Sequence, residues 1–369
     1  MNFPVFADGF RPFFLAASGL AAFHVVAWIA FLTGGGAGPA GWSPLIWHGH
    51  EMVFGFASAL IAGFLLTAVG NWTGRRVAGP GLIAALLTLW LVPRIGLVWP
   101  VLPGWFVQSA AASFFPALTV VVARPIVATR NARNYQVIGV LAALSAAGIA
   151  VQLWPSTAFL RAAVDVVMVL MTIVGARVIP FFTMRTLPSL GVADPKPFGH
   201  VAAGAVVVAV LAGWIAPGAA WAGWVAAAAG VLVFVRVWRW KPWGTVREPM
   251  LWILHLGYLW IGIALLLRAT SLPPASALHA ITMGALGCLA IGMMTRVALG
   301  HSGRIIRADG WMVTAFVLVA VAVLPRLIYP LLPFNDGGRM SLVAAAVLWT
   351  AGFTLYFVRF VPVMFSRRS

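Results

Sequence analysis

WHGHEMVFGFASALIAGFLLTAVG, residues 47–70, decides the fold. From Met52 to Gly70 it runs nineteen residues without a charge, which as a helix reaches across the roughly 30 Å hydrocarbon core of a bilayer. The rest of the chain repeats this pattern. Of 369 residues, 62% are hydrophobic and 8% charged, with a mean hydropathy of +1.00. A soluble domain carries roughly a quarter charged residues, so lipid must be the solvent for most of this exterior. Apolar runs of spanning length fall near 12–33, 47–70, 81–100, 104–123, 136–155, 160–184, 200–219, 220–238, 250–269, 276–300, 310–330 and 341–364. The split between the seventh and eighth rests on Pro217-Gly218 alone. The expectation is an all-α transmembrane bundle of about twelve spans, a single domain over 1–369 with no separate soluble domain.

The formal charge of +17 does not indicate nucleic acid, because the basic residues form no single patch. They lie in small groups between apolar runs: Arg75 and Arg76; Arg124, Arg130 and Arg133; Arg185 and Lys196; Arg236, Arg239, Lys241 and Arg247; Arg304 and Arg307. Arg11, Arg367 and Arg368 add to the termini, while the alternate connections carry little beyond Arg161, Arg268, Arg326 and Arg339. The positive-inside rule then places both termini in the cytoplasm. The start, Met1 to Phe10, lacks a basic stretch and runs into the first span, so no cleavable signal peptide is expected. The one cysteine, Cys288, lies in an apolar run, which excludes an intrachain disulfide or a cysteine-type zinc site.

The second and tenth runs align without gaps at an offset of 229 residues. His50 falls on His279, Gly55 on Gly284, Leu60 on Leu289, Gly63 on Gly292, Gly74 on Gly303 and Arg75 on Arg304. Glycine is abundant in this chain, so glycine-on-glycine matches arise readily by chance. The functional point is independent of ancestry: two helices running in the same direction each place a histidine at the same outer depth.

Ionisable groups within spans are costly and mark functional sites by default. Of the seven histidines, His48, His50 and His279 lie within about 5 Å of the outer ends of their spans at 1.5 Å per residue. His24 lies near the middle of the first span and His255 toward the inner side of the ninth. His200 reads as an interfacial polar residue. His301 sits in the compact run Leu299-Gly-His-Ser-Gly-Arg304. If residues 48–50 are already helical, His48 and His50 point about 200° apart and serve two different centres; if they are a loop, both could bind one metal. Glu51 falls on the side of His48, where it could orient that imidazole through its second N–H or carry protons.

Neutral imidazole suits haem iron and copper, and a helical bundle supplies the apolar slot a haem needs. Arg94, Arg161 and Arg268 are candidate propionate partners, although an arginine reaching out of the bilayer is the plainer account. Met283, four residues after His279, is a candidate copper ligand or core filler. Arg161 and Asp165 are four apart and can pair, and Pro180 predicts a kink after Arg177. No C-x-x-C-H motif is present, so any haem is non-covalent, of the haem b type.

Four runs carry a family resemblance: Ala7-Asp-Gly-Phe-Arg-Pro-Phe-Phe-Leu15; Trp47-His-Gly-His-Glu-Met-Val-Phe-Gly-Phe56; Ile61-Ala-Gly-Phe-Leu-Leu-Thr-Ala-Val69 with Asn71-Trp-Thr-Gly-Arg75; and Gly292-Met-Met-Thr-Arg-Val-Ala-Leu-Gly-His-Ser-Gly-Arg304. Together they resemble the NnrS family, in the family's order and over essentially the whole chain. The resemblance implies a bacterial inner-membrane protein containing haem and copper, associated with nitric oxide metabolism and resistance to nitrosative stress. A weaker resemblance, to the catalytic subunits of haem-copper oxidases and nitric oxide reductases, lies in the twelve spans and the histidines of the second and tenth. The sequence departs from those enzymes in placing its H-x-H pair on the second span and in lacking their adjacent histidine pair.

The combined expectation is a haem-copper membrane protein acting on nitric oxide or its iron-nitrosyl adducts, fed by an unidentified electron donor. His50 and His279 are the expected haem ligands across the bundle. His48 serves a second centre with His24 or His255, His301 is a further metal candidate, and Glu51 is the proton-carrying or orienting group. Two rivals are a non-enzymatic haem or copper carrier that holds nitric oxide, and a secondary transporter, which would show a broken helix pair at the midplane.

Overall fold

The structure, a computed structural model, describes residues 4–35, 42–99, 101–333 and 336–367; Arg368 lies outside them. Among the described residues there is no strand, and twelve helices are long and apolar enough to cross a membrane. They are α1 (Phe10–Leu32), α2 (Pro44–Thr73), α3 (Pro80–Val98), α4 (Gly104–Ala128), α5 (Ala132–Leu153), α6 (Thr157–Thr186), α7 (Lys196–Ile215), α8 (Ala220–Arg239), α9 (Pro249–Leu267), α10 (Pro274–His301), α11 (Gly310–Leu331) and α12 (Asp336–Phe365). Each expected span has its helix, and the chain is a multi-pass membrane protein. Pro217-Gly218 does divide α7 from α8, with Gly218 at φ +78°, a conformation glycine adopts without penalty.

The helix starts follow local chemistry. Proline opens α2, α3, α9 and α10, where its missing N–H costs nothing and its fixed φ suits the first turn. Ser43 caps α2 by accepting from the N–H of Ile46 at 3.4 Å, and Asp309 caps α11 by accepting from Met312 at 3.0 Å.

The helices group into two compact units, Met1–Val166 with Met294–Ile305 and Phe353–Ser369, and Val167–Met293 with Ile306–Gly352. Within the first, α1 packs on α2, α2 on α4, α3 on α4 and α4 on α5. Arg11, buried at 2% exposure, ties the start of the chain to its end: its Nη1 donates to the carbonyls of Met364 at 2.9 Å and Ser366 at 2.7 Å. Within the second unit, α7 packs on α8, α8 on α9, and α9 and α11 on α10. Arg236 of α8 grips Asp194 through two bonds, Nε–Oδ1 at 3.1 Å and Nη2–Oδ2 at 2.8 Å, which fixes the approach to α7.

The alignment of α2 with α10 extends to backbone geometry. In each helix the histidine is followed at once by a π-helical segment, Glu51–Ala57 after His50 and Ala280–Gly287 after His279. Each helix is succeeded by a left-handed glycine, Gly74 at φ +65° and Gly303 at φ +77°. The matched glycines serve matched contacts. A Cβ on Gly55 would stand 2.5 Å from Leu20, and one on Gly63 2.7 Å from Phe14, both of α1. A Cβ on Gly284 would stand 2.6 Å from Trp260, and one on Gly292 2.8 Å from Ile253, both of α9. The pair α1–α2 is thus repeated as α9–α10. In both, 78% of the most apolar window of the second helix is buried, so α2 and α10 are interior helices while α1, at 22%, is largely lipid-facing.

Candidate functional site

Residues 48–50 are helical, so the two histidines of the H-x-H run face apart, and each has its own surroundings. His48 turns to α1. Its Nδ1 lies 3.2 Å from Nε2 of His24, with 13° between the ring planes and 5.3 Å between centroids. The centroid distance exceeds the nitrogen distance by about 2 Å, so the rings meet edge to edge and share one N–H between two nitrogens. Trp28 stacks on His48 at 4.5 Å and Trp47 stands edge-on to His24 at 4.6 Å, forming an aromatic cage around the imidazole pair.

His50 is 1% exposed, and both its nitrogens are engaged. Nδ1 is 2.9 Å from Glu51 Oε1. Nε2 is 3.0 Å from the side-chain nitrogen of Gln152 on α5; since that amide nitrogen only donates, Nε2 accepts and Nδ1 carries the proton toward Glu51. The Glu51 carboxylate receives Arg94 Nε at its other oxygen, at 3.2 Å. Arg94 of α3 then donates Nη1 to the carbonyl of Trp90 at 2.9 Å and Nη2 to that of Phe54 at 2.6 Å. The π segment widens the helix and re-aims its carbonyls, and side chains satisfy them. Phe54 O receives Arg94 and Ser58 Oγ, while Gly55 O receives Ser58 Oγ at 2.9 Å and Trp90 Nε1 at 3.1 Å. Arg94, Trp90 and Ser58 therefore hold the π turn that presents His50 and Glu51.

This corrects one reading from helical angles. Glu51 orients His50, not His48. Cβ vectors of adjacent residues diverge by about 100°, but the long glutamate side chain swings back, drawn by the buried guanidinium of Arg94. Arg94, an expected propionate partner, spends its donors inside the protein.

In the second unit, His279 donates Nδ1–H to the carbonyl of Ala275 at 2.8 Å. That bond fixes the tautomer and leaves the Nε2 lone pair as the ring's acceptor. His255 donates Nδ1–H to Leu251 O at 3.0 Å and lies 3.5 Å from Thr183 Oγ1 through Nε2. It borders an apolar cavity of about 920 Å³ with Trp238 and Trp252, a volume in the range of cofactor pockets. His301 ends α10 beside the ring of Phe10 at 5.8 Å; Arg268 caps the end of α9; His200 is exposed. Among the described residues no three His, Cys, Asp or Glu side chains gather as a metal site. The structure thus joins His24 with His48, and His50 with Glu51 and Arg94. Gln152 and Trp90 carry no sequence signal and emerge only from tertiary packing.

The motifs at Asp8–Arg11, His48–Gly55 and Gly292–Arg304 all sit at these contacts, and the family model for the NnrS protein matches residues 4–368. The chain belongs to the NnrS family. No curated protein matches the sequence. For this NnrS chain, the residues present fit a haem or copper ion to different degrees. His279 offers an oriented, accepting Nε2. His50 offers the carboxylate-backed imidazole typical of metal ligands, but Gln152 must turn aside to release its Nε2. His24 and His48 hold two nitrogens 3.2 Å apart, near the separation of two imidazoles bound about 2.0 Å from one ion at a tetrahedral angle.

Proposed function

We propose that this NnrS protein is a bacterial inner-membrane protein with both termini in the cytoplasm that holds non-covalent haem b and copper and acts on nitric oxide or iron-nitrosyl species. NnrS membership points to a role in the response to nitric oxide. The observation that supports the cofactor reading is the matched pair of histidines at the mouths of two π segments, His50 and His279, each with Nδ1 anchored by a hydrogen bond, which leaves Nε2 as the acceptor nitrogen, held in His50 by Gln152. The π turn is a device found mostly at functional sites, and its cost in helix geometry is borne twice here.

In this reading His50 and His279 are haem ligands, and His24 with His48 is the copper pair. Haem iron, when bound, supplies the centre at which nitric oxide is held or reduced. The protein's own part is to fix the imidazoles and to manage protons. Glu51 Oε1 accepts the Nδ1–H of His50, which raises the donor strength of Nε2 and keeps a proton-accepting oxygen beside the ring. Arg94 gives that buried carboxylate a cationic partner at 3.2 Å. Turnover, as opposed to binding, would draw electrons from a donor yet to be identified. A transporter of the broken-helix type is disfavoured, because α2 and α10 pass through π geometry without losing the helix.

The test is absorption spectroscopy and metal analysis of purified protein, wild type and the variants His50→Ala, His279→Ala and His24→Ala. Expected outcomes are a haem spectrum altered or lost in the first two, and copper lost with haem retained in the third. Full haem retention in both His50→Ala and His279→Ala would sink the ligand assignment. Nitric oxide consumption beyond one equivalent with a supplied reductant separates an enzyme from a carrier.

A further inference from the structure

The repeat that pairs α2 with α10 continues into the next helix. Pro93-Arg94 near the end of α3 is matched by Pro325-Arg326 near the end of α11, an offset of 232 residues against 229 for the helices before. Like α3, α11 packs on its partner's π segment, and it also packs on the turn that carries His279. Arg326 is within electrostatic reach of His279, as Arg94 is of His50.

The two arginines differ in what answers them. Arg94 meets the carboxylate of Glu51 and two main-chain carbonyls. The residue matched to Glu51 in α10 is Ala280, which has no carboxylate. The Nη1 of Arg326 is buried with no hydrogen-bond partner among the described residues, and its guanidinium lies 5.2 Å from the ring centre of Tyr329. A buried, unpartnered guanidinium N–H is among the costlier defects a protein can carry. Here it stands at the position where the sister unit supplies an anion, on the helix that packs against the turn carrying His279.

We propose that Arg326 is a binding residue for a carboxylate brought by a ligand, which takes the place that Glu51 fills in the first unit. Guanidinium and carboxylate match in shape and charge, and a carboxylate oxygen satisfies the buried Nη1–H. A porphyrin propionate whose ring sits against His279 would meet both groups. That source rests on the haem reading above; the carboxylate site does not, and a free small carboxylate has the same chemistry.

The experiment uses the full-length apoprotein in detergent, wild type with Arg326→Gln and Arg326→Lys, titrated with metal-free protoporphyrin IX and with its dimethyl ester by porphyrin fluorescence. Wild type should bind the free acid about ten- to hundredfold more tightly than the ester. Arg326→Gln should reduce the free acid to the level of the ester and leave the ester unchanged, and Arg326→Lys should keep part of the preference. In parallel, acetate and succinate are tested for their effect on the unfolding temperature. A rise in wild type that is absent in Arg326→Gln, without porphyrin preference, assigns the site to a free carboxylate and removes the propionate. An equal preference in wild type and Arg326→Gln, or no response to porphyrin acid or small carboxylate, overturns the proposal. Because the porphyrin carries no iron, the preference for the free acid over the ester reports on the carboxylate site and not on the iron-ligand reading. Iron protoporphyrin, run beside it, reports on that reading separately.

Discussion

Replacing Glu51 by alanine tests the network on which the first unit's chemistry depends. Glu51 is 3% exposed and Arg94 8%, and the carboxylate bridges Arg94 Nε and His50 Nδ1. Removing one partner of a buried ion pair leaves the other charge uncompensated, at about 3–5 kcal/mol. With unfolding entropy near 2.1 cal/mol/K per residue, a chain of 369 residues converts this into a fall of about 4–6 °C in melting temperature. Arg94→Met should also destabilise, since it strips the donors from the carbonyls of Phe54 and Trp90. The double variant Glu51→Ala/Arg94→Met should cost less than the sum of the two, by about 2–3 kcal/mol, because no isolated charge remains. Thermal unfolding of the four proteins in one detergent, followed by circular dichroism, gives the cycle. Additivity within about 0.5 kcal/mol would show that Glu51 and Arg94 do not act as a pair, and the account of how His50 is held would fail with it.

Gly55→Ala and Gly284→Ala should each destabilise by about 1–3 kcal/mol, since their Cβ atoms would meet Leu20 and Trp260 at 2.5 and 2.6 Å. Gly139→Ala, with nothing within 4 Å, should be neutral or slightly stabilising, and equal melting temperatures across the three would refute the packing argument. Gln152→Leu removes the amide on His50 Nε2, so haem content should hold or rise by metal analysis; loss of haem would make Gln152 a structural support instead. Arg11→Ala frees the carbonyls of Met364 and Ser366, two charge-assisted bonds of about 1.5–3 kcal/mol each. The C-terminal end should then be cut faster in limited proteolysis, and an unchanged cleavage rate would contradict the clasp.

The H-x-H run shows why the site was only half legible. Spacing gave the opposite facing of His48 and His50 once the helix was assumed. That facing carried His48 toward α1, where His24 meets it, but spacing could not choose between His24 and His255 as its neighbour. Helical angles misassigned Glu51, because they describe where Cβ points and not where a long side chain goes when a buried arginine attracts it. Gln152, 102 residues from His50, had no local pattern to betray it. Arg326 did have one, the repeated Pro-Arg pair, legible only once the repeat was seen to include α3 and α11.

The sequence by itself determined the twelve helices, with ends good to about five residues, and the burial of apolar surface in lipid, because hydropathy over about 20 residues is a local sum that the bilayer reads directly. It also carried the register of the α2–α10 repeat, since glycines and a histidine at fixed spacing are one-dimensional facts. Only the tertiary structure decided that the repeat is built with matched π turns, that Glu51 serves His50, and that Arg94 meets a carboxylate while Arg326 Nη1 has no hydrogen-bond partner among the described residues. Those outcomes depend on hydrogen bonds between groups distant in the chain, whose partners are selected by packing and by the cost of leaving a buried polar atom unpaired.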